Sequence, residues 1–261
     1  MLKAFQEFVD IIKTLRGPNG CPWDKEQTLG SLTPFIIEEA YELVDAIEKQ
    51  NYQHIKEELG DIFLHVVMLA NMADEENQFN IADVINSEKE KMILRHPHVF
   101  KNVKVDSISD IWQNWENIKL TEKPKGNSVL AEIPKNLPSL LRAEKIQKKL
   151  SRLGFDWDDT TEPIKNLEKE VIEFKNEIFQ HEQNQKNIEE ELGDILFSIV
   201  NIARKLNINA EIALKNSNQK FIDRVKAIEN LLKDENKKIT DLSLAEFDTY
   251  WEKVKKKTNE F

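Results

Sequence analysis

The sequence predicts an all-α protein made of two homologous helical-bundle domains, and three observations carry that prediction. Glycine and proline are scarce, 7 and 8 in 261 residues, while Glu, Lys, Leu, Ile and Asn are abundant, which is a composition of helices joined by short loops. Apolar side chains recur at helical spacing along most of the chain. One stretch is also written twice: IKEELGDIFLHVVMLA, from Ile55, returns as IEEELGDILFSIVNIAR, from Ile188.

The elements follow in order. Leu2, Phe5, Val9, Ile12 and Leu15 mark a first helix that stops at Gly17-Pro18-Asn19-Gly20, a loop. After Cys21-Pro22-Trp23-Asp24, Thr33 reads as an N-cap and Pro34 as the first position of the next helix, FIIEEAYELVDAIEKQ. Ile36, Ile37, Ala40, Leu43, Val44 and Ile47 form its apolar face, with Glu39 at the border and Glu42 further round. The helix from near Tyr52 repeats that geometry, with Glu58 bordering the Leu59, Ile62, Val66 and Leu69 face and Asp61 beyond. Residues 80 to 95 form another helix before His96-Pro97-His98, and a shorter one holds Trp112, Trp115 and Ile118. Between Lys119 and Pro138 the composition shifts to Lys, Pro, Gly, Asn and Ser, a connector. Helical spacing then resumes with Leu140, Ile146 and Leu150, and Gly154-Phe155-Asp156-Trp157-Asp158 echoes Gly20 to Asp24.

The separation between equivalent residues is 134 for Trp23 and Trp157, 131 for Glu39 and Glu170, 133 for Asp61 and Asp194, 129 for Arg95 and Arg224, and 136 for Trp115 and Trp251. A drift of a few residues over such a period means a duplicated domain rather than a solenoid. The expected boundaries are 1–119 for the first domain, 120–139 for the linker and 140–261 for the second.

Composition limits the function. A formal charge of −10 argues against a partner such as duplex nucleic acid, whose binding rests on Lys and Arg neutralising phosphates. A nucleotide-sized anion then needs a metal bridge or a local basic pocket. No apolar run approaches a membrane helix, and the N-terminus carries neither a secretory nor a transit signal, so the expected location is the cytoplasm. One cysteine, Cys21, excludes an internal disulfide and a multi-Cys zinc site.

Both copies keep two carboxylate pairs: Glu39, Glu42, Glu58 and Asp61 in the first, and Glu170, Glu173, Glu191 and Asp194 in the second. Residues three apart share a helix face, and two successive helices joined by a short connection pack antiparallel, so each quartet converges. Carboxylates at that density repel and raise one another's pKa unless a cation joins them. All-oxygen donors suit Mg²⁺ or Mn²⁺ rather than Zn²⁺, and Mg²⁺ commonly bridges to phosphates. The competing reading is a solvated acidic face, common in a chain that is 32 % charged. The border positions and the repetition favour the metal. Gly60 and Gly193 interrupt both helices at the same place, which implies a close backbone approach.

Basic and aromatic residues recur as well. Lys91 and Arg95 are matched by Lys220 and Arg224, and Trp115 with Lys119 by Trp251 with Lys255. These side chains suit phosphate oxygens and a stacked base, or equally a salt-bridged surface and a packed core. His65, His96 and His98 have no partner at ligand spacing and read as structural. No P-loop is present.

Glu38-Glu39-x-x-Glu42 followed by Glu58-x-x-Asp61 resembles the EExxE…ExxD signature of the all-α nucleoside triphosphate pyrophosphohydrolases. GCPWDKEQT at Gly20 to Thr28, RHPHVF at Arg95 to Phe100 and GFDW at Gly154 to Trp157 resemble the two-domain MazG proteins over essentially the whole chain. The resemblance implies Mg²⁺-dependent hydrolysis of nucleoside triphosphates to monophosphate and pyrophosphate, with broad base tolerance, in a homodimer. It also implies that the C-terminal domain binds and hydrolyses the nucleotide. Carried over by position, Glu170, Glu173, Glu191 and Asp194 are the metal ligands, and Lys169, Lys186, Asn187, Ile188, Glu189, Glu190, Lys220, Arg224 and Trp251 line the nucleotide site. Lys169 departs from the motif, standing where its leading Glu belongs, so by motif integrity alone the N-terminal quartet is the better site. The expected mechanism has Glu190 orienting the attacking water, with Lys220 and Arg224 stabilising negative charge. Two alternatives stay open: a non-catalytic nucleotide-binding protein, which Lys169 permits, and a narrower pyrophosphohydrolase restricted to dUTP or a phosphoribosyl nucleotide.

Overall fold

The computed structural model describes residues 2–122 and 128–258, apart from the side chains of residues 109, 120, 121, 257 and 258. Among these residues the regular elements are twelve α-helices and one short 3₁₀ turn, with no strand. The chain divides into two compact units, Met1–Lys104 and Val105–Phe261.

In the first unit, α1 (Leu2–Arg16) and the short α2 (Pro22–Glu26) precede the pair α3 (Thr33–Glu48) and α4 (Tyr52–Glu75), and α5 (Ile81–Arg95) and α6 (Pro97–Phe100) follow. Helix α3 starts one residue earlier than expected: Leu32, not Thr33, is the N-cap, Thr33 is already helical, and Pro34 stands in the first turn. Asn51 caps α4 by accepting a bond from the His54 amide, at 3.3 Å. The core lies where Val9 and Ile12 of α1 meet Val67, Met68 and Met72 of α4 over Leu32.

The second unit holds α7 (Ile108–Thr121), α8 (Ser139–Arg152), the pair α9 (Thr161–Phe179) and α10 (Gln185–Lys205), α11 (Ala210–Asp234) and α12 (Leu244–Thr258). Asn184 caps α10 by accepting from the Lys186 amide, at 3.1 Å. Asn51 and Asn184 both stand ten residues before the Asp of their acid pair, so each cap sets the phase in which its helix presents its acids. Both helices end on an asparagine with positive φ, Asn77 at 53° and Asn207 at 57°, the left-handed closure asparagine tolerates. Ile228, Leu232, Tyr250 and Val254 form the α11–α12 core.

Helix α7 falls in the second unit, whereas the sequence predicts a first domain of residues 1–119. Its Glu116 is 1 % exposed and pairs with Lys149 and Arg152 of α8, the latter at 3.0 Å. The Arg152 guanidinium also lies 4.1 Å over the Trp112 ring. Part of the expected linker, 123–127, lies outside the described residues. Beyond it, Glu132 pairs with Lys119 at 3.1 Å.

Two packing expectations fail. Among the described residues a Cβ at Gly60 or Gly193 would meet nothing within 4 Å, so they do not make the close approach expected there. Helical period puts Ile37, Ile47, Leu59 and Val66 on apolar faces, and they are 54, 53, 52 and 40 % exposed. Helical period marks a side as apolar, and what covers that side is a separate matter.

Candidate functional site

Because α3 packs on α4 and α9 on α10, each helix pair brings its acids together. One oxygen each from Glu170, Glu173 and Glu191 lie within 4.8 Å of one another, and the same holds for Glu39, Glu58 and Asp61. Opposite ligands of an octahedral Mg²⁺ are about 4.2 Å apart, so small side-chain adjustments bring either trio to coordinating distance. The fourth acid of each quartet, Asp194 or Glu42, lies outside the trio but close enough to act on it electrostatically. Burial, then the charges of Glu173, Asp194 and Glu170, pushes the Glu191 carboxyl above its ordinary value. Glu39 is pushed up by burial, then by Asp61, Glu42 and Glu58. The Oε2 atom of Glu191 is buried and has no hydrogen-bond partner. A buried, unpartnered carboxylate oxygen among three other acids is what a hard divalent cation would satisfy, so the donor set fits Mg²⁺ or Mn²⁺.

The side chains beside the two trios differ. In the C-terminal copy Lys169 straddles the Glu173 carboxylate, with Nζ 2.9 Å from Oε1 and 3.1 Å from Oε2. In the N-terminal copy His65, expected to be structural and without a ligand-spaced partner, has Nε2 4.0 Å from Glu39 Oε1, and its ring stacks on Phe35 with a 6.2 Å centroid separation. The equivalent positions of the second copy hold Ser198 and Asn166, joined by a 3.0 Å hydrogen bond in which the amide donates. Sequence inspection missed this pairing, although the repeat offsets that align the acids also align these two positions.

The remaining site candidates fall into two groups. Lys186, Asn187, Ile188, Glu189 and Glu190 form the first turns of α10. There Lys186 pairs with Glu190 at 3.6 Å, and Asn187 donates to Glu177 at 3.2 Å. Lys220 and Arg224 of α11 line a cleft of about 440 Å³ that also reaches Val254 of α12. The Arg224 guanidinium lies 5.5 Å over the Trp251 ring, and its buried Nε has no hydrogen-bond partner. Trp251 in turn lies 4.8 Å from the Phe221 ring.

Comparison with known proteins places both trios within recognised segments. The model of the MazG nucleotide pyrophosphohydrolase domain matches residues 27–100 and 159–228. The chain is 43 % identical over 252 residues to the nucleoside triphosphate pyrophosphohydrolase/pyrophosphatase MazG of Thermotoga maritima, spanning 96 % of this chain and 95 % of that one. It is 38 % identical over 258 residues to the nucleoside triphosphate pyrophosphohydrolase of Escherichia coli K12, spanning 98 % of each. It is also 45 % identical over 252 residues to the uncharacterized protein YabN of Bacillus subtilis, covering 51 % of that longer chain.

Proposed function

The chain belongs to the MazG nucleotide pyrophosphohydrolase family, and from that premise we propose that it hydrolyses nucleoside triphosphates, ribo and deoxy and with broad base tolerance, to the monophosphate and pyrophosphate. The reaction takes place at the C-terminal quartet and depends on Mg²⁺, which Mn²⁺ can replace. The observation that carries this reading is the convergence of Glu170, Glu173 and Glu191 to within 4.8 Å around an unpartnered Glu191 oxygen.

A divalent ion bound there supplies Lewis-acid polarisation and offsets the triphosphate charge. The chain's own residues do the rest. Glu170, Glu173, Glu191 and Asp194 hold the ion. Glu190, whose side chain is 63 % exposed beside Lys186, is free to accept a hydrogen bond from the attacking water and orient it. Lys220 and Arg224 bind phosphate oxygens, and Trp251 offers a face for the base. Lys169, Lys186 and Asn187 line the approach, with Ile188 and Glu189 in the same turn. Glu39, Glu42, Glu58 and Asp61 form a second metal site.

The protein works as a homodimer in the cytoplasm. Support for the dimer comes from apolar residues that both copies leave uncovered at equivalent positions: Tyr41 and Ile172, Leu59 and Leu192, Phe63 and Leu196, and Val66 and Ile199 are all 39 to 58 % exposed. Contiguous apolar surface of this kind marks an interface. Among the described residues no helix is long and apolar enough to cross a membrane.

The Lys169–Glu173 pair favours one second reading, a nucleotide-binding protein without turnover. One assay separates the two: purified protein with Mg²⁺ and a panel of nucleoside triphosphates that includes dUTP. The enzyme reading expects monophosphate and pyrophosphate in equal amounts from several bases, and loss of both in Glu173→Ala with helical content retained. No pyrophosphate from any nucleotide would leave the binding reading standing.

A further inference from the structure

Taken with the residue that precedes each one, the two quartets carry different charge. The N-terminal set consists of Glu38, Glu39, Glu42, Glu58 and Asp61, five acids. Its counterpart consists of Lys169, Glu170, Glu173, Glu191 and Asp194, four acids and a cation. We propose that Lys169 is an internal counter-ion, holding Glu173 until a metal–triphosphate complex arrives and then passing to a phosphate oxygen, so that the C-terminal quartet takes up its divalent ion with the nucleotide while the N-terminal quartet takes up free ion. This rests on the assignment of the C-terminal quartet as the nucleotide site.

The geometry carries the first half of the inference. The Lys169 ammonium touches both oxygens of Glu173, at 2.9 and 3.1 Å, and Glu173 is one of the three acids whose oxygens converge. A metal cannot take either oxygen at full strength while the ammonium sits against both, and a dication close to that ammonium is repelled. The second half follows from the weakness of the hold. Lys169 and Glu173 are an i, i+4 pair with the lysine first, the less favourable order, and their side chains are 64 and 40 % exposed. A pair like this gives way when a more highly charged partner enters. A triphosphate is such a partner: it neutralises the arriving ion and offers the ammonium an oxygen of its own, so metal and nucleotide raise each other's affinity. In the N-terminal copy the residue at the place of Lys169 is an acid, Glu38, and the same five positions attract free ion instead of resisting it.

The test counts bound metal on the intact protein and does not use turnover. Free Mn²⁺ is followed by electron paramagnetic resonance during titration, with and without a nonhydrolysable nucleoside triphosphate. The natural protein should hold one tight ion per chain without nucleotide, lost in Glu58→Gln, and a second only when the analogue is present. Lys169→Glu should hold two without nucleotide, with the second site tightened by roughly tenfold or more, and Lys169→Ala should move the same way by less. Circular dichroism checks the fold of each variant, and Lys169→Ala serves if the charge reversal does not fold. Two equally tight ions in the natural protein without nucleotide overturn the inference, as does an ion count that ignores both Lys169 variants. If Glu173→Gln leaves pyrophosphate release intact, the catalytic assignment fails instead, whatever the ion count.

Discussion

In the N-terminal copy the ring of His65 lies against Phe35 with Nε2 4.0 Å from Glu39, while at the equivalent positions of the C-terminal copy Ser198 accepts a 3.0 Å hydrogen bond from Asn166. The acids those residues border are the same in both copies. Two side chains in contact across a helix pair differ between the copies, a stacked aromatic pair in one and a hydrogen-bonded polar pair in the other, while the carboxylate quartet is the same in both. Duplication left one geometric demand in place, acids meeting between two helices, and allowed the packing around it to diverge. Lys169 extends the divergence to the motif itself, and the shared part can be separated from the divergent part by experiment.

The largest effect tests what is shared. If both trios exist to bind divalent metal, chelation should abolish pyrophosphate release, by roughly a thousandfold or more, and Mg²⁺ or Mn²⁺ should restore it. Turnover unchanged in excess chelator would remove metal from the account of the C-terminal copy. Next comes the last helix of each copy, since Glu116 of α7 is equivalent to Glu252 of α12. Glu116 is buried between Lys149 and Arg152, whereas the Glu252 side chain is 55 % exposed and 3.5 Å from Lys255. Burial pushes the Glu116 carboxyl up, and Lys149 and Arg152 outweigh that, leaving it below its ordinary value. Glu116→Ala should therefore cost about 3 kcal/mol in urea unfolding, because it strands buried cations, and Glu252→Ala less than about 0.5 kcal/mol. Equal costs would mean that α7 is held by something other than this triad.

A smaller effect separates the loops that precede the helix pairs. Asp156 receives two bonds from Arg204, at 2.6 and 2.9 Å, and one from Ser151 at 2.8 Å. In the first copy Pro22 stands at that place and Arg16 binds the loop through the carbonyl oxygens of Asp24 and Gln27, at 2.5 and 3.2 Å. Burial raises the Asp156 carboxyl, but Arg204, Ser151 and Lys205 lower it further, well below the ordinary aspartate range. A carboxylate depressed on folding stabilises above its unfolded pKa, and that stability is lost as pH falls through and below it. Asp156→Asn should cost about 2 kcal/mol at pH 7, with the gap closing as the pH drops below about 4. A gap that is constant with pH would assign the effect to packing rather than charge. Smallest of all is the exchange of the divergent pair. Phe35→Asn and His65→Ser should each destabilise the first unit, with the double variant recovering about 1 kcal/mol relative to the sum. Additive costs would show that the two positions diverged independently.

Much of the fold could be read from the sequence because helical period is a local property and the repeat states it twice, whereas the asparagine caps of α4 and α10 were legible in the same way and were missed. The convergence of Glu170, Glu173 and Glu191 followed from spacing plus a short connection. Other features depend on what packs against a helix, which its own sequence does not specify. Glu116 directly follows Trp115, and nothing in its own helix marks it as interior; its burial comes from pairing with Lys149 and Arg152, thirty-odd residues later. For the same reason α7 reads as the end of the first domain while packing in the second unit. Leu59 lies on a face that the period marks as interior, and it and its equivalent Leu192 are 52 and 45 % exposed because the described residues supply no cover for them.

The claim that the C-terminal quartet turns over nucleotide while its twin does not is tested most directly by one pair of variants. Glu191→Gln and Glu58→Gln remove the same charge at equivalent positions, and kcat for pyrophosphate release can be measured on both full-length proteins in saturating Mg²⁺ and nucleoside triphosphate. The account predicts that Glu191→Gln loses at least roughly a hundredfold more activity than Glu58→Gln. Equal losses, or a larger loss in Glu58→Gln, would contradict it.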